Sequence, residues 1–153
     1  MKKLLTVGLL VVLILTSVFL TSCGAKDTSS KAQTTDSSEV FTLYKKAMAA
    51  DASAAEKLLR TPWQNWLNPS AIIDAAEVFL KAENRVIAFR LALAAADAGD
   101  PDGQNWVGMN YAAGEIIRED VEKAVSYFNL AAAQGHPIAM YCLGLLHLSE
   151  LND

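Results

Sequence analysis

Cysteine and histidine are scarce in this sequence, and that scarcity closes several routes to chemistry. Two cysteines, Cys23 and Cys142, stand in 153 residues, too few for a disulfide framework or a cysteine zinc cluster. The two histidines, His136 and His147, lie eleven residues apart. No His-x-x-x-His or Glu-x-x-His pair supplies the one-turn spacing of a helical metal site. Ser126 and Ser149 have no evident base and no Gly-x-Ser-x-Gly turn. No glycine-rich phosphate loop or dinucleotide fingerprint occurs. Bases are also in deficit: 13 Lys and Arg against 17 Asp and Glu give a net charge of −4. Removing Lys2 and Lys3, the only charges among residues 1–22, takes the remainder to −6. Nucleic acid demands a basic face, so none is expected as a partner, and the acids read as solvated outer helix faces. Asp97, Asp100 and Asp102 cluster at one turn, where helix capping explains them better than calcium. The expectation is of no enzyme, no metal, no cofactor and no small-molecule substrate.

What the sequence does have is self-similarity. A shift of 36 residues lays Gly99 on Gly135, Pro101 on Pro137, Val107 on Leu143 and Gly108 on Gly144. The same shift lays Ala88 on Ala124, Leu91 on Tyr127, Ala95 on Ala131 and Ala96 on Ala132. A period of this size marks a helical repeat array. Each unit reads as two helices. Helix A, Pro101 to Ala113, is capped by Asp100 and has Pro at its first position. Gly103, Trp106, Val107, Asn110 and Tyr111 recur at three and four and share a face. Gly114 ends it in a left-handed turn. Asp120 caps helix B, Val121 to Gln134, with Ala124, Tyr127, Phe128 and Ala131 inward, and Gly135 stops it. Gly108 and Gly144 sit inside helices at a cost of about 1 kcal/mol each relative to Ala. Close backbone approach against the Ala131-Ala132 pair is the expected reason, so Gly144→Val is expected to destabilise the fold strongly. Cys142, in the place of Trp106, reads as a small buried apolar residue.

The residues Tyr111, Gly114, Ile117, Asp120, Lys123, Ala124, Tyr127, Ala131, Ala132, Gly135, Ala139, Leu143 and Gly144 resemble the Sel-one-like repeat family, a relative of the tetratricopeptide repeats. Ile116 departs from the pattern at its second loop Gly, and His147 where a Tyr is common. The motif is specific over Pro101 to Leu146, weaker over Ala88 to Gly99 and doubtful before Pro69. The resemblance implies an all-α fold, an α/α solenoid of antiparallel helix pairs with about seven helices. It also implies a role in binding proteins without chemistry of its own. Some envelope proteins of this kind resemble immunity proteins against injected toxins. Others suggest scaffolds for envelope assembly or peptidoglycan synthesis, and a hydrolase with an unfamiliar site is the rival of another class.

The N-terminus predicts location. Lys2 and Lys3 precede Leu4 to Leu20, which is almost wholly apolar: a signal-peptide pattern. Leu20-Thr21-Ser22-Cys23 resembles the bacterial lipobox, in which the thiol takes a diacylglyceryl group. Residues 1–22 are thus expected to be removed and Cys23 lipidated. The alternative is an uncleaved transmembrane anchor. Either places the rest in the cell envelope. Gly24, where Asp would favour inner-membrane retention, favours the outer membrane if the source is Gram-negative. Residues 23–39, rich in Ser, Thr, Lys, Asp and Gln, read as a lipidated Cys and disordered tether. The helical-repeat domain then covers 40–153, with its clearest repeats over 86–153.

Before the repeats, Asp36 and Glu39 suggest a capping box for a first helix with Val40, Phe41, Tyr44, Ala47 and Met48 on its apolar face. Ser53 and Glu56 suggest a second box, opening a short helix to Arg60. Trp63 and Trp66, between helices, form either a hydrophobic plug or an aromatic anchor for a partner or membrane surface. Asn68-Pro69 opens a third helix to about Ala82, and Val86 to Ala98 a fourth. His136 reads as solvated before Pro137. The last helix, from Pro137, has no B partner, and Ser149, Glu150, Asn152 and Asp153 make its end polar. At 100° per residue Asn105, Met109 and Ala112 point away from the core face of helix A, and Tyr141, Leu145 and Leu148 are their equivalents. These positions form the expected concave wall for a protein partner, with contacts at Asn105, Met109, Tyr141, Leu145, Trp63 and Trp66.

Overall fold

The computed structural model describes residues 36–150. The expected signal segment 1–22, the expected lipidation position Cys23, the expected tether as far as residue 35 and the end 151–153 lie outside the described residues. Among the described residues seven α-helices follow one another: α1 Ser37–Ala47, α2 Ala52–Leu58, α3 Pro69–Lys81, α4 Arg85–Asp97, α5 Pro101–Ala113, α6 Val121–Ala133 and α7 Pro137–Glu150. A short 3₁₀ turn, Trp63–Asn65, stands between α2 and α3. The fold is all-α, with helices packed in adjacent antiparallel pairs: α1 on α2, α3 on α4, α5 on α6, then α7 on α6.

Local chemistry sets the boundaries. The Asp100 carboxylate accepts from Gly103 N at 2.8 Å and opens α5, and Asp120 accepts from Lys123 N at 2.9 Å and opens α6. Asn68 and Asn84 do the same for α3 and α4. Gly99, Gly114 and Gly135 stop α4, α5 and α6 with φ of 96°, 67° and 85°, backbone angles that a Cβ disfavours.

Two expected capping boxes do not form. Asp36 is taken up by the Ser37 and Ser38 hydroxyls and caps no amide of α1. Its backbone carbonyl starts that helix instead, accepting from Glu39 N at 3.0 Å. The helix therefore begins at Ser37, within the stretch assigned to the tether. Asp51, not Ser53, caps α2, accepting from Ala54 N at 3.0 Å. The aspartate lies where the chain is still extended, as a cap must. In α1 the buried residues are Val40, Leu43 and Ala47, while Phe41 and Met48 are exposed.

The core is one continuous cluster from Val40 to Val107, with a smaller one around Ala124, Phe128, Ala131 and Ala139. Trp63 and Leu67 are buried in the larger cluster, so the Trp63 segment plugs the gap before α3. Here α2 also packs against α4.

The glycines divide in an unexpected way. At Gly103 an added Cβ would lie 2.9 Å from Ala96 N, so α5 crosses the α4 backbone there. At Gly108 it would lie 2.8 Å from the Phe128 ring. The close neighbour of Gly108 is thus an aromatic side chain and not the Ala131-Ala132 pair. At Gly144 nothing among the described residues lies within 4 Å. The close contact on which the expected loss of stability in Gly144→Val rested is not found among the described residues.

Candidate functional site

Three A-type helices, α3, α5 and α7, line up along one side of the molecule and enclose two adjoining clefts. One, about 470 Å³, is lined by Ile73, Ala76, Glu77, Leu80 and Lys81 of α3, by Asp102, Asn105 and Trp106 of α5, and by His136 and Ile138 at the start of α7. The other, about 330 Å³ and almost wholly apolar, lies between Met109, Ala112 and Ala113 of α5 and Cys142, Leu145 and Leu146 of α7, with Phe128 behind. Met109, Leu145 and Tyr141 expose 44%, 48% and 65% of their surface. The structure thus brings Met109 and Leu145 together across one cleft, with Tyr141 one turn before Leu145.

Asn105 departs from its expected place on the outer wall. It is only 7% exposed. The helical-wheel argument treats α5 as having one packed side, but α5 touches α3, α4 and α6. Its wall-facing residues are therefore flanked by a neighbouring A helix. Asn105 Nδ2 donates to Met109 Sδ at 3.6 Å, a weak bond, and Oδ1 is buried with no hydrogen-bond partner. A buried acceptor left unmet costs about 1–3 kcal/mol, and native structures carry few of them. The floor of the first cleft thus holds an amide whose acceptor is unused.

The rim of that cleft is charged and paired. Lys81 and Glu77 lie 3.8 Å apart on α3. His136 is not a solvated residue: its side chain is 10% exposed and its Nε2 lies 3.0 Å from Asp102 Oδ1. Its Nδ1 accepts from Ala139 N at 3.2 Å, so this imidazole caps α7 and ties it to α5. An Nδ1 that accepts leaves Nε2 to carry the proton toward Asp102. No sequence spacing reveals that role, since His is not among the usual capping residues.

The Asp97, Asp100, Asp102 cluster is accounted for by separate partners. Asp100 caps α5, Asp102 meets His136, and Asp97 accepts from Tyr127 Oη at 3.3 Å. Among the described residues no group of His, Cys, Asp and Glu is placed to hold a metal ion, and no helix is long and apolar enough to cross a membrane.

On the other side of α5 the aromatic residues form a chain. Phe89 meets Trp106 and Tyr111 at 6.5 and 6.3 Å, and Tyr111 stacks on Tyr127 at 5.9 Å with planes 10° apart. Lys123 stands 5.2 Å over the Tyr111 ring. Burial, with Asp97 and Tyr111 beside it, pushes the Tyr127 phenol up to about 12. A depression of about 790 Å³ opens nearby, lined by Tyr111 and residues 117–123. Its Lys123 is already engaged by Asp120 at 3.0 Å, and it is open to solvent.

Of the two tryptophans proposed as an anchor, Trp63 is 1% exposed and belongs to the core, and Trp66 is half-buried against it. Trp63 is therefore removed from any contact surface. Cys142 is half-buried and lines the apolar cleft rather than filling a core position. No protein-family model, curated protein or solved structure matches this chain.

Proposed function

We propose that the chain is a Sel-one-like-repeat lipoprotein of the bacterial cell envelope, lipid-anchored through Cys23. In this reading it acts as a protein-binding module without chemistry of its own. The observation that carries the binding role is the wall of α3, α5 and α7. It pairs an apolar cleft bounded by Met109 and Leu145 with a neighbouring cleft whose floor holds the unused Asn105 acceptor. An apolar trough with a few polar groups at its rim suits a polypeptide, whose apolar side chains can fill it. Exposed apolar surface of this kind is a mark of interaction sites.

Anchorage rests on the lipobox resemblance at Leu20-Thr21-Ser22-Cys23. Cys23→Ala is expected to abolish labelling by a fatty-acid analogue, and persistent labelling would refute lipidation at that residue. The binding role is tested by capture from envelope extract with the full chain and with a triple variant, Met109→Asn, Tyr141→Asn and Leu145→Asn. The variant should keep its helicity by circular dichroism and lose capture of the partner. Undiminished capture by the folded variant would move the site off this wall, with half-buried Trp66 the next position to test. A role as an immunity protein is the narrower version, and it requires the captured partner to be a toxin whose activity the chain inhibits.

A further inference from the structure

The cleft between α3, α5 and the start of α7 has acceptor capacity to spare. Asp102 meets His136 through Oδ1 at 3.0 Å, and Glu77 stands 3.8 Å from Lys81 through Oε2. Both carboxylates are largely exposed, so each has an oxygen for a further donor. Asn105 is 7% exposed, and its Oδ1 has no partner at all. Two carboxylates and one ammonium, Lys81, thus line the cleft, and the His136 ring already turns its Nε2 to Asp102. The remaining lining is mostly apolar, with Ile73, Leu80 and Ile138 as walls and the Trp106 indole among them.

We infer that this cleft takes a lysine side chain of the polypeptide partner, its ammonium held by Asp102, Glu77 and the Asn105 side-chain oxygen. The inference rests on the reading of the α3, α5 and α7 wall as the contact surface, and it names what the partner brings there. An ammonium carries three donors and no acceptor, which matches a cleft whose spare groups are acceptors. These acceptors belong to separate side chains on two helices. That suits the rotatable donors of an ammonium better than the planar fork of a guanidinium. The four-carbon stem lies along Ile73, Leu80 and Ile138, as lysine stems do on apolar surface, and Trp106 supplies an aromatic ring for the charge. Asn105 Oδ1 is closed off from solvent, so the amide turns to meet the ligand. Only the 3.6 Å bond to the Met109 thioether, a weak acceptor, holds it back. A leucine of similar size would fill the position with no unmet acceptor, and native proteins keep few such atoms. Lys81 gives way readily, because its pair with Glu77 is exposed and such pairs contribute little.

The probe is acetyl-lysine methylamide with a free side-chain ammonium, and its norleucine analogue, which lacks the ammonium, is the control. Each is titrated into the full chain in non-ionic detergent micelles while the Trp106 indole signal is followed by NMR. The lysine probe is expected to bind with a dissociation constant of about 1 mM, the range open to so few atoms. The norleucine analogue should leave the signal unmoved. Asn105→Leu should weaken lysine binding at least about tenfold, the scale of one lost bond to a charged donor, and should raise the melting temperature. Glu77→Gln, at an exposed position, should weaken binding without changing the melting temperature. No saturation below about 10 mM, equal binding of the norleucine analogue, or lysine binding indifferent to both variants would overturn the inference. If the lysine probe fails while the Met109, Tyr141 and Leu145 triple variant loses capture, the inference falls alone and the wall stands. Lysine binding in a chain whose capture survives that triple variant would uphold the cleft and remove those three residues from the contact.

Discussion

Gly108 and Gly144 occupy one position of the repeat and should respond to substitution in opposite directions. Gly108 holds the Phe128 ring against the α5 backbone. Gly108→Val forces that ring or the helix away and is expected to cost about 1–3 kcal/mol, the range for overpacking a filled core. Among the described residues nothing lies within 4 Å of the Gly144 Cβ position, so Gly144→Ala should gain up to about 1 kcal/mol from helix propensity alone. Urea unfolding of the two variants beside the parent checks both signs, and a destabilised Gly144→Ala would place an unseen neighbour at that helix. Asp100 is a third residue with a single-atom job. It is 6% exposed and its carboxylate caps α5. Asp100→Ala should therefore cost about 1–2 kcal/mol, with Asp100→Asn retaining most of the stability because the amide oxygen can still accept.

At the scale of elements, the repeat was the most legible part of the sequence. Helix A and helix B appear where Asp100, Gly114, Asp120 and Gly135 place their ends, because caps and left-handed stops act within a turn of the chain. What was not legible depends on long-range neighbours. The burial of Asn105 comes from the flanking A helix, and the capping by His136 comes from its approach to Asp102, 34 residues earlier. The seat of Trp63 in the core likewise depends on residues distant in sequence, which no period announces. The α5–α6 pair also carries a pH signature. In the folded state burial and Asp97 favour the neutral Tyr127 phenol, raised above the unfolded value of about 10. A raised value means the folded state keeps its proton longer. That contribution to stability is complete below about pH 10 and is lost as pH rises through about 12. Tyr44, raised by burial and by Asp74, and Lys123, raised by Asp120, act in the same direction. Tyr127→Phe should therefore make the alkaline fall in melting temperature shallower without flattening it. An unchanged alkaline profile would mean that Tyr127 titrates alike folded and unfolded.

Across the whole molecule, helices α3, α5 and α7 present a wall while α4 and α6 back it. That arrangement follows from the stacking of repeats, in which each A helix lies beside the A helix of the next unit. The central claim is that a polypeptide partner lies along this wall. The most direct measurement places a photoreactive amino acid at Met109 or Leu145 of the full chain in the cells that produce it. Equivalent probes at Glu122 and Asn129, exposed on α6, serve as the comparison. Irradiation should join Met109 and Leu145 to the same polypeptide and leave the α6 probes without that adduct. Adducts of equal strength from α6, or none from the wall while the partner is still captured, would contradict the account.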